Sequence, residues 1–355
     1  MPHAIRHPFA GACLLLSLTI APVTTAAAQD EPLQAFRAGA AGETLTLLPQ
    51  NGAVRIELPG GNALRVPLPD RADVSSFAAI DGGWVAAGNV PDATGGRKLI
   101  LLRGNAKTSR PLPEPPGQED RQRTGAVLLV DNLAGNGRLA GLAWLEGNDQ
   151  RSLSVRASLW NGKRWSAPER VSYPGPGSQL ALTGAVLADG SWLLAWSAFD
   201  GTADEIVWSR RLGDAWQPVA RLSAANSVPD ITPALTATPD GGALIAWSRY
   251  DGKGYQLRMA RFAGDSGGRW TDERPAAGSH SLYPVFLGSS RLLYLDANAP
   301  RAWSVLDLDG QGRVKARASI ASELDRPVVE VDGDQVRMRW PARDRKAAVA
   351  LERVP

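Results

Sequence analysis

One pattern in this chain returns after 51 positions. Asp189-Gly190, Leu193-Leu194-Ala195-Trp196-Ser197 and Asp200-Gly201 are followed by Asp240-Gly241, Leu244-Ile245-Ala246-Trp247-Ser248 and Asp251-Gly252, each 51 residues on. Trp144 precedes Trp196 by 52. A second mark, Gly-x-x-Trp, ends at Trp165, Trp216 and Trp270, at spacings of 51 and 54. Weaker copies lie at Asp81–Ala87, Arg291–Leu295 and Asp332–Trp340. Within a unit the apolar runs are short and bounded by Asp-Gly or Gly-rich turns, the mark of strands joined by tight hairpins. No segment between them carries a helical period. Four strands in a unit of this length make the blade of a β-propeller, in which radial repetition protects the sheet edges.

Counting from residue 72, units begin near 72, 125, 179, 230, 279 and 323. The expectation is an all-β propeller of six blades. Strands within residues 43–69 would complete the ring beside a last unit that lacks its outer strand, and a seventh, composite blade is the alternative. The tryptophans Trp144, Trp196, Trp247, Trp165, Trp216 and Trp270 are expected in the packing between sheets, because radial sheets need bulky filling.

Residues 1–28 read as a cleaved signal peptide. Arg6 lies in the first seven residues, Gly11–Val23 is apolar, and Ala26-Ala27-Ala28 offers a small-residue cleavage site before Gln29. The expected product is a single propeller domain, 29–355, periplasmic or secreted, with no membrane span. The one cysteine, Cys13, precedes the run Leu14-Leu15-Leu16, where a lipid-attachment cysteine would follow it. The mature chain then has no thiol and one histidine, His280. That excludes disulfides and His/Cys zinc sites, and no cofactor or metal is expected. Lys+Arg 39 against Asp+Glu 36, with the basic residues scattered, gives no electrostatic footprint for nucleic acid.

At the Gly-x-x-Trp turns the chain resembles the sialidase-like Asp-box (BNR-repeat) propellers, whose repeat reads Ser-x-Asp-x-Gly-x-Thr-Trp, often followed by Ser-x-Pro. Asp265-Ser266-Gly267-Gly268-Arg269-Trp270 keeps Asp, Gly and Trp. Asn161-Gly162-Lys163-Arg164-Trp165-Ser166-Ala167-Pro168 keeps Gly, Trp and the Ser-x-Pro tail, and Leu212-Gly213-Asp214-Ala215-Trp216 keeps Gly and Trp. The resemblance covers residues 72–355 and implies that these turns lie on the face away from the site. Sialidases of that family use an arginine triad, a tyrosine paired with a glutamate, and an aspartate acid/base. The nearest match to their first-arginine motif is Leu64-Arg65-Val66-Pro67, which lacks the preceding aromatic. The catalytic candidates this resemblance implies are Arg65 and Tyr283.

A propeller binds through its inter-blade loops and those between second and third strands, here Glu146–Gln150, Ser197–Glu205, Ser248–Tyr255 and Asp296–Arg301. The repeated Asp200-Gly201 and Asp251-Gly252 are hairpin chemistry. Residues that depart from the repeat carry function better, which singles out Glu146, Asp204, Glu205, Arg249 and Tyr250 for binding. Asp307-Leu308-Asp309-Gly310 lacks the rest of a calcium loop. The Pro-rich loop Arg110–Thr124 reads as an excursion between blades. The expected function is a non-catalytic, extracytoplasmic binding or scaffold propeller for a protein or a cell-surface glycan. A sialidase-type glycoside hydrolase is the alternative, and a polysaccharide lyase a third reading.

Overall fold

A computed structural model describes residues 36–38, 45–50, 52–93, 95–117, 121–131, 137–149, 151–172, 177–224, 226–264 and 268–354. The signal-peptide assignment and Cys13 lie outside these residues. The described strands form seven antiparallel sheets in chain order, so the chain is an all-β propeller. Blade 1 comprises Phe36–Ala38, Leu45–Gln50, Ala53–Glu57 and Ala63–Pro67. Blade 2 comprises Asp73–Ile80, Gly83–Pro91, Arg97–Gly104 and Ser109–Pro111. Blade 3 comprises Gln122–Asp131, Arg138–Gly147, Ser154–Leu159 and Glu169–Arg170. In blade 4, Gln179–Val186, Trp192–Phe199 and Asp204–Leu212 are edged by the short Ala215–Trp216 and Ala220–Arg221. Blade 5 comprises Asp230–Ala237, Ala243–Tyr250, Tyr255–Phe262 and Arg274–Ala277. Blade 6 comprises Ser281–Phe286, Arg291–Asp296, Ala302–Leu308 and Val314–Ala321. Blade 7 has three strands, Val328–Asp332, Gln335–Trp340 and Arg345–Ala350.

The count of six is corrected to seven. The N-terminal segment does not complete the sheet of the last unit. Phe36–Ala38 pairs with Leu45–Leu47, which gives this segment four strands of its own. Its apolar face, with Leu47, Val54, Ile56 and Val66, packs on Phe77 and Trp84 of blade 2. The last unit does lack an outer strand. The final strand, Glu352–Arg353, passes blade 7 by and pairs with Val314–Ala321 at the outer edge of blade 6.

The repeated tryptophans explain the period. Trp144, Trp196 and Trp247 are fully buried in the second strands of blades 3, 4 and 5. Each shares an apolar cluster with the blade before it: Trp144 with Leu99 and Leu101, Trp196 with Leu145 and Val155, and Trp247 with Leu193 and Ile206. Tyr294 repeats the arrangement in blade 6 against Leu257 and Met259 of blade 5. The turn tryptophans cover the edges of the same layers. Trp165 is buried and donates to the Pro113 carbonyl at 2.6 Å. Trp216 and Trp270 are half-buried against their clusters. Gly162 at φ 92° and Gly213 at φ 58° supply the left-handed backbone that these turns require. The described part of 110–124 is pinned rather than an excursion. Leu112 is buried, and Arg123 donates to the Pro115 carbonyl at 3.0 Å.

The junction of blades 7 and 1 is different. Among the described residues no apolar cluster spans it. Instead Arg339 of blade 7 donates to both carboxylate oxygens of Glu57 in blade 1, at 3.1 and 2.6 Å. The hydrogen bonds from Arg339 hold the Glu57 carboxyl below the usual carboxylate range. A depressed folded pKa gives stabilisation that is complete above the unfolded value and is lost as pH falls through the folded one. Glu57→Gln is therefore expected to lower the unfolding free energy at pH 7 by about 1 kcal/mol, the pair being partly solvated. The variant should also show a shallower loss of stability below pH 4.5 than the parent. Thermal melts from pH 7 down to pH 3 check both, and identical acid profiles would remove this pair from ring closure.

Candidate functional site

Adjacent strands alternate in direction, so the hairpins between second and third strands share one face with the connections between blades. We call it the connection face. Two of its hairpins are built alike. Asp200 accepts from the Thr202 and Ala203 amides at 2.8 and 3.2 Å, and Asp251 from the Lys253 and Gly254 amides, both at 2.9 Å. Their carboxyls are spent on the turn. The Gly254 and Lys253 amides hold Asp251 far below the usual range.

Just inside these turns the repeat breaks down chemically while the backbone is preserved. Phe199 and Asp204 are cross-strand partners in blade 4, and Tyr250 and Tyr255 occupy the equivalent pair in blade 5, 51 residues on. The Tyr250 and Tyr255 rings lie 5.5 Å apart. The inner strands of blades 4, 5 and 6 each carry a bulge with one residue in left-handed conformation: Ala181 at φ 51°, Thr232 at φ 52° and Tyr283 at φ 52°. These positions are again 51 apart. For a bulky residue this conformation is an outlier that the surrounding structure must enforce. Tyr283 does not repay it by packing, since it is 53% exposed.

These departures meet across the blades. Burial pushes the Tyr255 phenol up, and Asp204 of blade 4, Tyr250 and Tyr283 of blade 6 all lie near enough to add to the shift. His280, at φ 68°, packs over Gly254, where a Cβ would stand 2.7 Å from its ring. Burial raises the Asp204 carboxyl, with neighbouring Asp200 adding to it. The result is a strip, Phe199–Asp204–Tyr255–Tyr250–Tyr283, that crosses three blades. It uses three of the chain's five tyrosines.

Of the residues singled out in sequence, Asp204, Tyr250 and Tyr283 come together here. The others are placed elsewhere. Arg65 is exposed on the outermost strand of blade 1, paired across the strands with Arg55. Glu146 is buried in blade 3, where it accepts from Arg123 Nε at 3.1 Å and Trp144 Nε1 at 3.3 Å and faces Arg156 at 3.2 Å. Glu205 is fully buried, hydrogen-bonded by Ser223, with Arg221 at 3.5 Å. Arg249 donates to Asp230 at 2.8 Å and binds Glu273 through both terminal nitrogens, at 2.7 Å for one of them. The last three are braces inside their own blades. Sequence reasoning put Tyr255 in the right loop without choosing it, and it passed over His280 and Phe199. The available signal was the register: Tyr283 aligns with Thr232 and Ala181, and Tyr255 with Asp204.

The comparisons bear on the fold alone. No family profile matches the chain, and no curated protein matches it. Among solved structures, one from a study of two prolyl endopeptidases aligns with 90% of this chain and 47% of its own at 14% identity and a TM-score of 0.52. A mutant puromycin hydrolase, complexed with PGG, aligns with 89% of this chain and 50% of its own at 16% identity and a TM-score of 0.50. A mutant Aleuria aurantia lectin, in complex with α-methyl-L-fucoside, aligns with 90% of this chain and 94% of its own at 11% identity and a TM-score of 0.45. The propeller is what they share with this chain. Among the described residues no helix is long and apolar enough to cross a membrane.

Two stability outcomes follow from the site. Asn tolerates the left-handed region better than Tyr, so Tyr283→Asn is expected to hold or raise the unfolding free energy, by up to about 1 kcal/mol, in a denaturant titration. Burial raises the carboxyls of Glu205 and Asp230. A raised folded pKa gives stabilisation that is complete below the unfolded value and is lost as pH rises through the folded one. Glu205→Gln should therefore flatten the fall in stability on going from pH 4.5 to pH 7, and an unchanged slope in pH-resolved melts would rule Glu205 out as its source.

Proposed function

We propose that this protein is a ligand-binding propeller without catalytic machinery, which holds a carbohydrate chain against the tyrosine strip of its connection face. The exported, periplasmic or secreted location read from residues 1–28 belongs to this proposal. The observation that carries the reading is the convergence of Tyr250, Tyr255 and Tyr283 beside Asp204, with one of the rings held in a strained conformation and left open to solvent. Aromatic rings offer flat apolar faces at low conformational cost, and phenol and carboxylate oxygens beside them bond hydroxyl groups.

Two features favour carbohydrate binding over the other readings. Glycoside cleavage needs two reachable carboxylates about the scissile bond or, in the sialidase arrangement, a tyrosine paired with a glutamate beside an aspartate. Here Asp200 is held by Arg221 at 2.6 Å and by turn amides, and Glu205 is fully buried, which leaves Asp204 alone on the strip. A stable protein interface buries on the order of 800 Å² per partner around an apolar core. The large apolar residues exposed among those described are Leu180, Phe199, Leu212, Tyr283 and Val354, and only Phe199 and Tyr283 belong to the strip.

On a glycan array, the chain is expected to retain a defined set of oligosaccharides. Tyr255→Ala and Tyr250→Ala should each weaken retention by about ten-fold, the order of one lost stacking contact. Arg65→Ala should leave retention unchanged. Turnover of a fluorogenic sialoside that depends on Arg65 or Tyr283 would replace this reading with a hydrolase.

A further inference from the structure

We propose that the chain held by the strip is one of amino sugars, and that a protonated amine of the ligand seats at Asp204 against the face of Tyr255. This deepens the binding reading above and rests on it.

Asp204 is a carboxylate without a partner from the described protein. Among the described residues Asp204 makes no hydrogen bond and no ion pair through its side chain, although it is half-buried, opposite Phe199 across its hairpin and in the blade beside that of Tyr255. Its neighbours are accounted for. Asp200 is tied to Arg221 and to the turn amides. Glu205, next in the chain, faces inward to Ser223 and Arg221, so that Arg221 is committed to two carboxylates already. From blade 5, Asp251 is engaged by two amides, by Gln256 and by Ser279, both side-chain bonds at 2.9 Å, and Lys253 sits exposed at the hairpin tip. Tyr250 and Tyr255 bring their paired rings. From blade 6 come the Tyr283 phenol and the His280 ring over Gly254. The unmatched charge of the strip is therefore negative and located at one carboxylate.

Such a site discriminates among sugars. A cation over a tyrosine face is attracted by the ring, and beside Asp204 it removes both the burial cost of the anion and the repulsion from Asp200. A sugar acid would meet the same two carboxylates as like charges. An N-acetylated sugar brings no charge, so Asp204 would stay uncompensated. The pair forms only while Asp204 is ionised and the amine protonated, so affinity is expected to peak between those two titrations.

The test is calorimetric titration of the full chain with a glucosamine tetramer and, separately, an N-acetylglucosamine tetramer, from pH 4 to pH 9. The glucosamine tetramer should bind about ten-fold tighter near neutral pH, the scale of a charge-assisted contact, with a bell-shaped dependence on pH. Asp204→Asn should abolish that preference and the acid limb of the bell, with a thermal melt at neutral pH no lower than the parent's. Equal affinity for both tetramers, both lost in Tyr255→Ala, overturns the amine assignment and leaves the carbohydrate reading standing. A lysine-rich peptide that binds tighter than the glucosamine tetramer, with the same Asp204 dependence, also overturns it. Absence of binding to both tetramers and to every oligosaccharide of the array overturns both proposals.

Discussion

The architecture depends on a large ring in the second strand of one blade packing into the sheet before it. Trp144, Trp196, Trp247 and Tyr294 each do this from blades 3 to 6, and each is fully buried. A single blade cannot bury such a side chain by itself, since both faces of its sheet are apolar and each is covered only by a neighbour. Loss of one of these rings would open a cavity between two sheets, a defect costing about 3–5 kcal/mol. The recurrence at 51 residues thus records a packing requirement, and it tolerates wide variation in the loops because the loops take no part in it.

That division explains what could be read from the chain. The blades are set by period, turn residues and buried tryptophans, all local marks. The blade count is harder. Blade 1 has no tryptophan and no Gly-x-x-Trp turn, so it bears none of the repeat's signature, and its first strand, Phe36–Ala38, is only three residues long. The site is legible in part for the same reason. Asp204, Tyr250 and Tyr283 stand out as departures from the repeat. Glu146, Glu205 and Arg249 depart from it too, yet their partners, Arg123, Ser223 and Glu273, lie 18 to 24 residues away, where no pairwise reading of the sequence joins them. Polar departures in a propeller have two causes, bracing and recognition, and burial separates them.

Bracing and recognition also lie side by side. Arg221 holds Asp200 and Glu205 in blade 4, and Arg249 holds Asp230 and Glu273 in blade 5, directly beneath the hairpins that present Asp204 and the tyrosine pair. The strip therefore stands on ion-paired supports, and for the proposed ligand such preorganisation would lower the ordering cost of binding. Tyr283 belongs to the same frame, since the left-handed bulge position held by Ala181 and Thr232 in blades 4 and 5 carries an exposed tyrosine in blade 6.

The route of the last strand makes the two ends of the ring unequal. Glu352–Arg353 reaches back over blade 7 to the edge of blade 6 and closes behind it like a strap. Blade 7 is thereby fastened on both sides of its own hairpins, whereas blade 1 meets it, among the described residues, through the Arg339–Glu57 pair and packs its apolar face on blade 2. Were the toroid to gape, it would do so as a clasp does, with the hook staying on the C-terminal half and the eye leaving with blades 1 and 2. The tyrosine strip, on blades 4 to 6 and separated from that parting line by the strapped blade 7, would keep its shape.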